Sequence, residues 1–125
     1  MSGKKDRVKD SDRTSILVPD FKHCYVCGTD RDIHLHEVFY GSANRKKSKE
    51  DGCVVPLCGI HHNLSSQGIH YNKTLDENVK KQTEKIWIKT YCDDSLSNEE
   101  KIEQFIRRYG INYLEEDELN ERRTV

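Results

Sequence analysis

Two pairs of thiol and imidazole side chains carry the strongest chemical signal in this chain. Cys24 and Cys27 lie in the run Phe21-Lys-His-Cys-Tyr-Val-Cys-Gly28, and Cys58 and His61 repeat the same gap further along. Thiolate and imidazole ligands suit a tetrahedral zinc ion, which takes four donors, and two such pairs supply four. Gly28 permits the tight turn that aims both sulfurs of the first pair inward. His62 is adjacent to His61 and is the alternative fourth ligand. Ligand binding would feed directly into folding free energy, so the first expectation is a structural zinc acting as a staple.

A second polar set remains once that ion has its ligands: His36, Glu37, Asn44, His62 and His70. Phosphodiester hydrolysis needs an in-line water, a base to activate it, and a cation to stabilise charge on the phosphate and the leaving oxygen. One or two imidazoles can hold the cation, and a nearby imidazole or carboxylate can serve as base. Each residue also has a plainer reading. Asn44 can be an ordinary loop residue, His34 an exposed strand histidine, and His23 a neighbour of the first cysteine pair.

The elements that must carry these groups follow from residue patterning. Residues 33–40 read as a strand, with Ile33 and Leu35 on one face and His34 and His36 on the other. Residues 41–52 read as a polar, basic loop, and residues 53–57 as a short second strand. Pro56 argues that this strand lies at an edge or is leaving the sheet. Residues 58–72 lack helical periodicity. Thr74 is positioned to cap a helix running to about Tyr91, with Leu75, Val79, Gln82, Ile86 and Trp87 on its apolar face. A second helix spans residues 98–109, with Ile102, Phe105, Ile106 and Tyr109 as its stripe and Gly110 as its stop. Cys53 is expected in the core and Cys92 at the end of the first helix. The predicted fold class is α+β: a small zinc-stapled ββα core with an additional C-terminal helix.

Composition agrees with a stapled domain. The chain has 125 residues, 34% hydrophobic and 34% charged, a thin apolar supply that favours one domain reinforced by a metal. The expected organisation is a flexible leader over 1–19, the zinc-stapled domain over 20–92, a helical extension over 93–114 and an acidic tail over 115–125. The net charge of −1 hides local bias. Lys4, Lys5, Arg7 and Lys9 make a basic start, and Arg45, Lys46, Lys47 and Lys49 a second basic cluster. On a functional reading, Arg45, Lys46 and Lys47 sit over a nucleic-acid backbone; on a plain one they are solvated. No apolar signal segment or membrane-length run is evident, so reduced thiols and metal ligation are expected rather than disulfides.

Together, Cys24-x-x-Cys27, Leu35-His-Glu-Val-Phe39, Gly41-Ser-Ala-Asn-Arg-Lys-Lys-Ser48, Leu57-Cys58-x-x-His61-His62 and Gly68-Ile-His70 resemble the HNH endonucleases. The resemblance is to the phage-type subgroup that includes RecA-dependent recombination nucleases, and it covers roughly residues 21 to 92. It implies a ββα-metal fold that hydrolyses DNA phosphodiesters with one divalent cation, Mg2+ or Mn2+, with Zn2+ or Ni2+ also suited to histidine ligands. It implies His36 as the first-strand ligand, His62 and His70 as the remaining cation ligands, and Asn44 as the residue that ties the loop to the site. DNA is the implied partner, with a recombinase or phage protein as a second, no membrane, and the cytoplasm of a bacterial host as the setting. One position departs from the family pattern. Glu37 stands where a histidine usually acts as general base, and an ordinary glutamate, with a pKa of about 4.3, is a weaker base at neutral pH. Glu37 working as base or cation ligand, His34 or His36 taking over, and a domain that binds without cleaving all remain open at this level. The alternative to an enzyme is therefore a catalytically inactive zinc-binding module for nucleic acid or protein.

Overall fold

The computed structural model describes residues 13–123. Its sheet has two antiparallel strands, β1 (Ile33–Glu37) and β2 (Val54–Cys58), in the register Ile33↔Cys58 through Glu37↔Val54. The helices are α1 (Asn44–Asp51), α2 (Gly59–His62), α3 (Lys73–Tyr91) and α4 (Asn98–Tyr109), followed by a 3-10 helix over Glu116–Arg123. The result is a small α+β fold with one hydrophobic core. Val55, Leu57, Val79, Trp87, Ile102, Phe105, Tyr109 and Leu114 all belong to that core, so residues on both sides of the expected boundary at 92 share it.

β1 is shorter than the run over 33–40 suggests, and β2 keeps its expected length but is shifted by one residue. β1 stops at Glu37, although Val38 N–H still donates to the Cys53 carbonyl at 2.9 Å. Phe39 then leaves the ladder because its backbone N–H and carbonyl are both taken by the Ser48 hydroxyl, at 3.0 and 2.7 Å. β2 runs through Pro56 to Cys58, and all five of its residues are buried. The Pro56 carbonyl accepts the Tyr25 N–H at 2.7 Å, on the side away from β1, so its missing N–H costs the ladder nothing.

The expected loop over 41–52 contains helix α1, and this corrects the sequence reading. The segment Asn-Arg-Lys-Lys-Ser-Lys-Glu-Asp has no apolar stripe, and Ser48 is its one buried residue. Polar anchors replace the stripe. Lys47 Nζ donates to the Arg108 carbonyl at 2.8 Å and Asn44 Nδ2 to the Tyr109 carbonyl at 3.1 Å, so α1 satisfies exposed acceptors at the end of α4. Asp51 accepts Trp87 Nε1–H at 2.9 Å, the Tyr109 hydroxyl at 2.8 Å, and Arg108 through Nε at 2.9 Å and a terminal N–H at 2.8 Å. We expect Asp51→Ala to cost about 3 kcal/mol, because it strands those buried donors, and a thermal midpoint lowered by several degrees checks it.

Helix α3 begins two residues earlier than predicted. Asn72, not Thr74, is its cap, with Asn72 Oδ1 accepting the Leu75 N–H at 3.1 Å. Its buried face is Val79, Thr83, Glu84, Trp87 and Ile88, while Gln82 is exposed. The face is rotated because two polar residues on it find internal partners: the Thr83 hydroxyl donates to the Val79 carbonyl at 2.7 Å, and one Glu84 oxygen, Oε1, accepts the Tyr113 N–H at 2.8 Å. Helix α4 matches its prediction. A Ser97–Glu100 capping box starts it and Gly110 ends it, although Ile106 of the expected stripe is exposed. Cys53 is buried in the core and Cys92 caps the end of α3, as expected.

Glu84 makes the fold pH-sensitive. It has no exposed surface, and its Oε2 has no hydrogen-bond partner among the described residues. Burial pushes its carboxyl from an ordinary 4.5 up to about 7, against the opposing pull of the Tyr113 N–H. Between those values the native state holds a proton that the unfolded chain has released. Stability therefore falls as pH rises through this window, and the contribution is fully present only below the lower value. We expect Glu84→Gln to flatten that slope and to raise stability at pH 8 by about 3 kcal/mol, at roughly 1.4 kcal/mol per pH unit across the window. Urea midpoints of both proteins at pH 5 and pH 8 check this.

Part of the expected leader belongs to the fold, which corrects the boundary at 19. Ile16 and Leu17 pack against the core, and Ile16 N–H donates to the Gly52 carbonyl at 2.9 Å. Lys4, Lys5, Arg7 and Lys9 lie outside the described residues. The acidic end is not a bare tail either, since Leu119 packs on the core and Lys81 meets Glu118 at 3.6 Å. No helix among the described residues is long and apolar enough to cross a membrane.

Candidate metal centres

Both ligand pairs of the first site are brought together. The Cys24-Cys27 turn closes on itself, with Gly28 N–H donating to the Cys24 carbonyl at 2.9 Å and Cys24 N–H to the Thr29 carbonyl at 2.7 Å. The Tyr25–Pro56 bond docks this turn onto β2, whose last residue is Cys58. Helix α2 starts immediately afterwards and, within one turn, returns His61 to the same point. The four ligand atoms lie within 4.8 Å of one another. Cys27 Sγ to Cys58 Sγ is 3.8 Å, and His61 Nδ1 is 3.4 Å from Cys58 Sγ and 3.8 Å from Cys24 Sγ.

These separations can be compared with an ideal tetrahedron. Zn–S bonds of about 2.3 Å and Zn–N bonds of about 2.0–2.1 Å give S···S edges of about 3.8 Å and S···N edges of about 3.6 Å. The cluster matches both, so Cys24, Cys27, Cys58 and His61 can hold a zinc ion, and His61 rather than His62 completes the set of four. Burial pushes the Cys24 thiol up, but backbone N–H donors of Cys27, Cys58 and Val26 outweigh it and bring it down to about 6. The pocket is thus built for a thiolate.

The second cluster is His36, His62 and His70, again with ligand atoms within 4.8 Å. His36 comes from β1, His62 from the end of α2, and His70 from the loop before α3. The loop can fold back this tightly because residue 68 is glycine. A Cβ there would meet the His62 carbonyl oxygen at 2.7 Å. Beyond it Ile69 N–H donates to the His61 carbonyl at 2.8 Å and His70 N–H to the His62 carbonyl at 3.3 Å. His62 Nε2 and His70 Nε2 are consequently 3.1 Å apart. Two imidazoles on one cation, with bonds of about 2.0–2.1 Å, place their nitrogens roughly 2.9–3.4 Å apart for bond angles between 90° and 109°.

His36 is 3% exposed, and its Nε2 has no hydrogen-bond partner among the described residues. Burial first, then neighbouring His70 and His62, bring its pKa down to about 3. Burial and His70 bring His62 down to about 4. Both rings are therefore neutral near pH 7 and carry free lone pairs. A set of imidazoles that includes an unpartnered buried nitrogen fits a borderline cation. Its surroundings were not anticipated: Tyr40 packs against His36 and His70 with ring centroids 5.7 Å away, and Lys80 Nζ sits 4.3 Å over the Tyr40 ring.

The remaining candidates are placed elsewhere. Glu37 is not among the groups brought within ligand distance of the histidines. It follows His36 on a strand, so its side chain leaves from the opposite face, a consequence of period-2 alternation that was already available in the sequence. There it meets Arg13 at 2.9 Å and Arg45 at 3.9 Å. Asn44 turns to α4 instead of the histidines, because its amide caps the Tyr109 carbonyl. Of the basic cluster, Lys47 is occupied by the Arg108 carbonyl, while Arg45 and Lys46 are exposed. His34 is not a plain surface residue: its Nδ1 lies 2.9 Å from His62 Nδ1. Compared with family models, curated proteins and solved structures, the chain gives no match.

Proposed function

We propose that this protein is a metal-dependent endonuclease of the HNH type that hydrolyses DNA phosphodiester bonds. One observation carries the reading: three imidazoles from separate elements, His36, His62 and His70, converge beside a thiolate-rich cluster that can take the structural metal. The motif order along the chain, Cys-x-x-Cys, His-Glu, Asn-Arg-Lys and Cys-x-x-His-His with a following His70, supports the same class.

A divalent cation in this cluster, when bound, supplies Lewis-acid stabilisation of charge on a phosphate oxygen. The three histidines bring their ligand atoms within 4.8 Å of one another, and His36 and His62, with pKa values brought down by burial, need no deprotonation near pH 7. The Lys80 ammonium, tied to Asp76 at 2.9 Å and close to Tyr40, adds positive potential to the α3 side of the cluster. Arg45 and Lys46 face solvent from α1 and suit contact with the sugar–phosphate backbone, a contact that carries no sequence preference.

A second reading, a zinc module that binds nucleic acid or protein without cutting, is favoured by the Arg13–Glu37 ion pair. That pair holds the only carboxylate of the His-Glu motif away from the histidines. Supercoiled plasmid separates the two readings. We expect purified protein to convert it to nicked circles with Mg2+, Mn2+, Ni2+ or Zn2+ and not after removal of the added cation. Plasmid that is shifted on a gel yet stays supercoiled with every cation would favour the module.

A further inference from the structure

We propose that Asp32 and His34 act as a positioning pair that fixes the tautomer of His62. The inference rests on the reading of His36, His62 and His70 as a cation site, and extends it to two residues outside that site. Three contacts run in line: Asp32 Oδ1 to His34 Nε2 at 3.0 Å, His34 Nδ1 to His62 Nδ1 at 2.9 Å, and His62 Nε2 to His70 Nε2 at 3.1 Å.

Donor and acceptor rules leave one neutral arrangement. An ionised carboxylate only accepts, so His34 carries its proton on Nε2 and presents a bare Nδ1. The short contact across Nδ1 and Nδ1 then requires His62 to donate Nδ1–H. His62 Nε2 is left as a lone pair aimed at His70 and His36, the form a cation needs. The opposite assignment would turn a bare His34 Nε2 toward the carboxylate and put a proton on His62 inside the cluster.

The backbone is shaped for this contact. Asp32 is the one non-glycine residue with positive φ, 53°, among the described residues. Aspartate is among the few side chains that tolerate that region. The turn ends immediately before β1, and Asp32 and His34, two residues apart, share a side of the chain. His34, opposite Leu57 in the ladder, is held in place by the sheet. The Asp32 side chain is 60% exposed and that of His34 32%, so water weakens the outer contact and His34 carries the larger share.

Outer-shell partners of metal-bound histidine commonly change metal affinity by about 10- to 100-fold. The test uses the full chain with zinc retained at the cysteine cluster, titrated with Ni2+ by calorimetry while zinc release is monitored. Long-range 1H–15N NMR of the Ni2+-free protein reads the His62 tautomer. The wild type is expected to show His62 protonated on Nδ1. His34→Phe keeps the ring volume but loses both nitrogens; it should move His62 toward the Nε2–H form and weaken Ni2+ roughly 100-fold. Asp32→Asn, which suits the same backbone, should weaken it about 10-fold. His34→Gln can again accept from His62 Nδ1–H and should recover part of the His34→Phe loss. Circular dichroism and zinc content establish that each variant is folded. A wild-type His62 protonated on Nε2, or unchanged tautomer and Ni2+ affinity in folded His34→Phe, would overturn the positioning pair. A wild type that takes up no Ni2+ beyond the cysteine cluster while keeping the Nδ1–H tautomer would instead overturn the cation-site reading and leave the hydrogen-bond chain standing.

Discussion

Cys58→Ser is expected to abolish stoichiometric zinc binding and leave the chain largely unfolded at 25 °C. Cys58 ends β2, faces Cys27 at 3.8 Å and lies 3.4 Å from His61 Nδ1, so it links the knuckle, the sheet and α2 through one point. Metal binding in small zinc modules supplies about 10–16 kcal/mol, while a domain of ordinary size is stable by only about 5–15 kcal/mol. Loss of one thiolate therefore removes an energy as large as the whole margin. Chelation of the wild-type protein should have the same outcome, with loss of far-ultraviolet circular dichroism tracking zinc release. Chelated protein that keeps its native spectrum with no zinc by mass spectrometry would sink the staple. Cys53 is the useful contrast. It is buried with its thiol pushed up to about 12 by burial, and it takes no part in the cluster. Cys53→Ala should keep full zinc content and lose stability by about 1–2 kcal/mol through lost packing and the lost thiol contact with the Tyr109 hydroxyl at 3.6 Å.

His62→Ala is expected to lower plasmid nicking by about 10²- to 10⁴-fold while leaving fold and structural zinc intact. The metal's stabilisation of transition-state charge is worth several kcal/mol, and each 1.4 kcal/mol is about tenfold in rate. His62 is only half-buried at the end of a one-turn helix, so truncating it opens little core. It touches both other imidazoles, lying 3.1 Å from His70 and with its ring centroid 5.4 Å from that of His36, so its loss leaves two donors where the cation had three. The readout is the nicking rate at saturating Mn2+, with zinc content and circular dichroism measured on the same sample. Equal nicking by wild type and His62→Ala would mean that the activity belongs to a contaminant or to another site. Glu37→Gln probes the His-Glu motif separately. Because Glu37 pairs with Arg13 on the far side of β1 from His36, its loss should affect stability more than the nicking rate.

How much of this was legible beforehand can be judged residue by residue. The Cys-x-x-Cys turn and the Cys-x-x-His turn each set ligand geometry within three residues, so spacing pointed to Cys24, Cys27 and Cys58 with His61 and left only the choice between His61 and His62 to the tertiary structure. Helices α3 and α4 were readable because apolar residues recur with the helical period, and α4 also carries its capping box and terminal glycine in sequence. Helix α1 was not readable, because its anchors are hydrogen bonds from Trp87, Arg108 and Tyr109, far along the chain, to a segment without apolar residues.

What the chain determines locally is therefore the identity of the ligands and the alternation that puts His34 and His36 on one side of β1 and Glu37 on the other. Which of those sides meets a third and fourth imidazole is decided only when α2 and the loop through Gly68 pack back onto the sheet. The physical reason is range. Turn geometry and side-chain alternation act over two to four residues, whereas His36, His62 and His70 meet through backbone contacts made by segments distant in sequence, and no local pattern encodes that meeting.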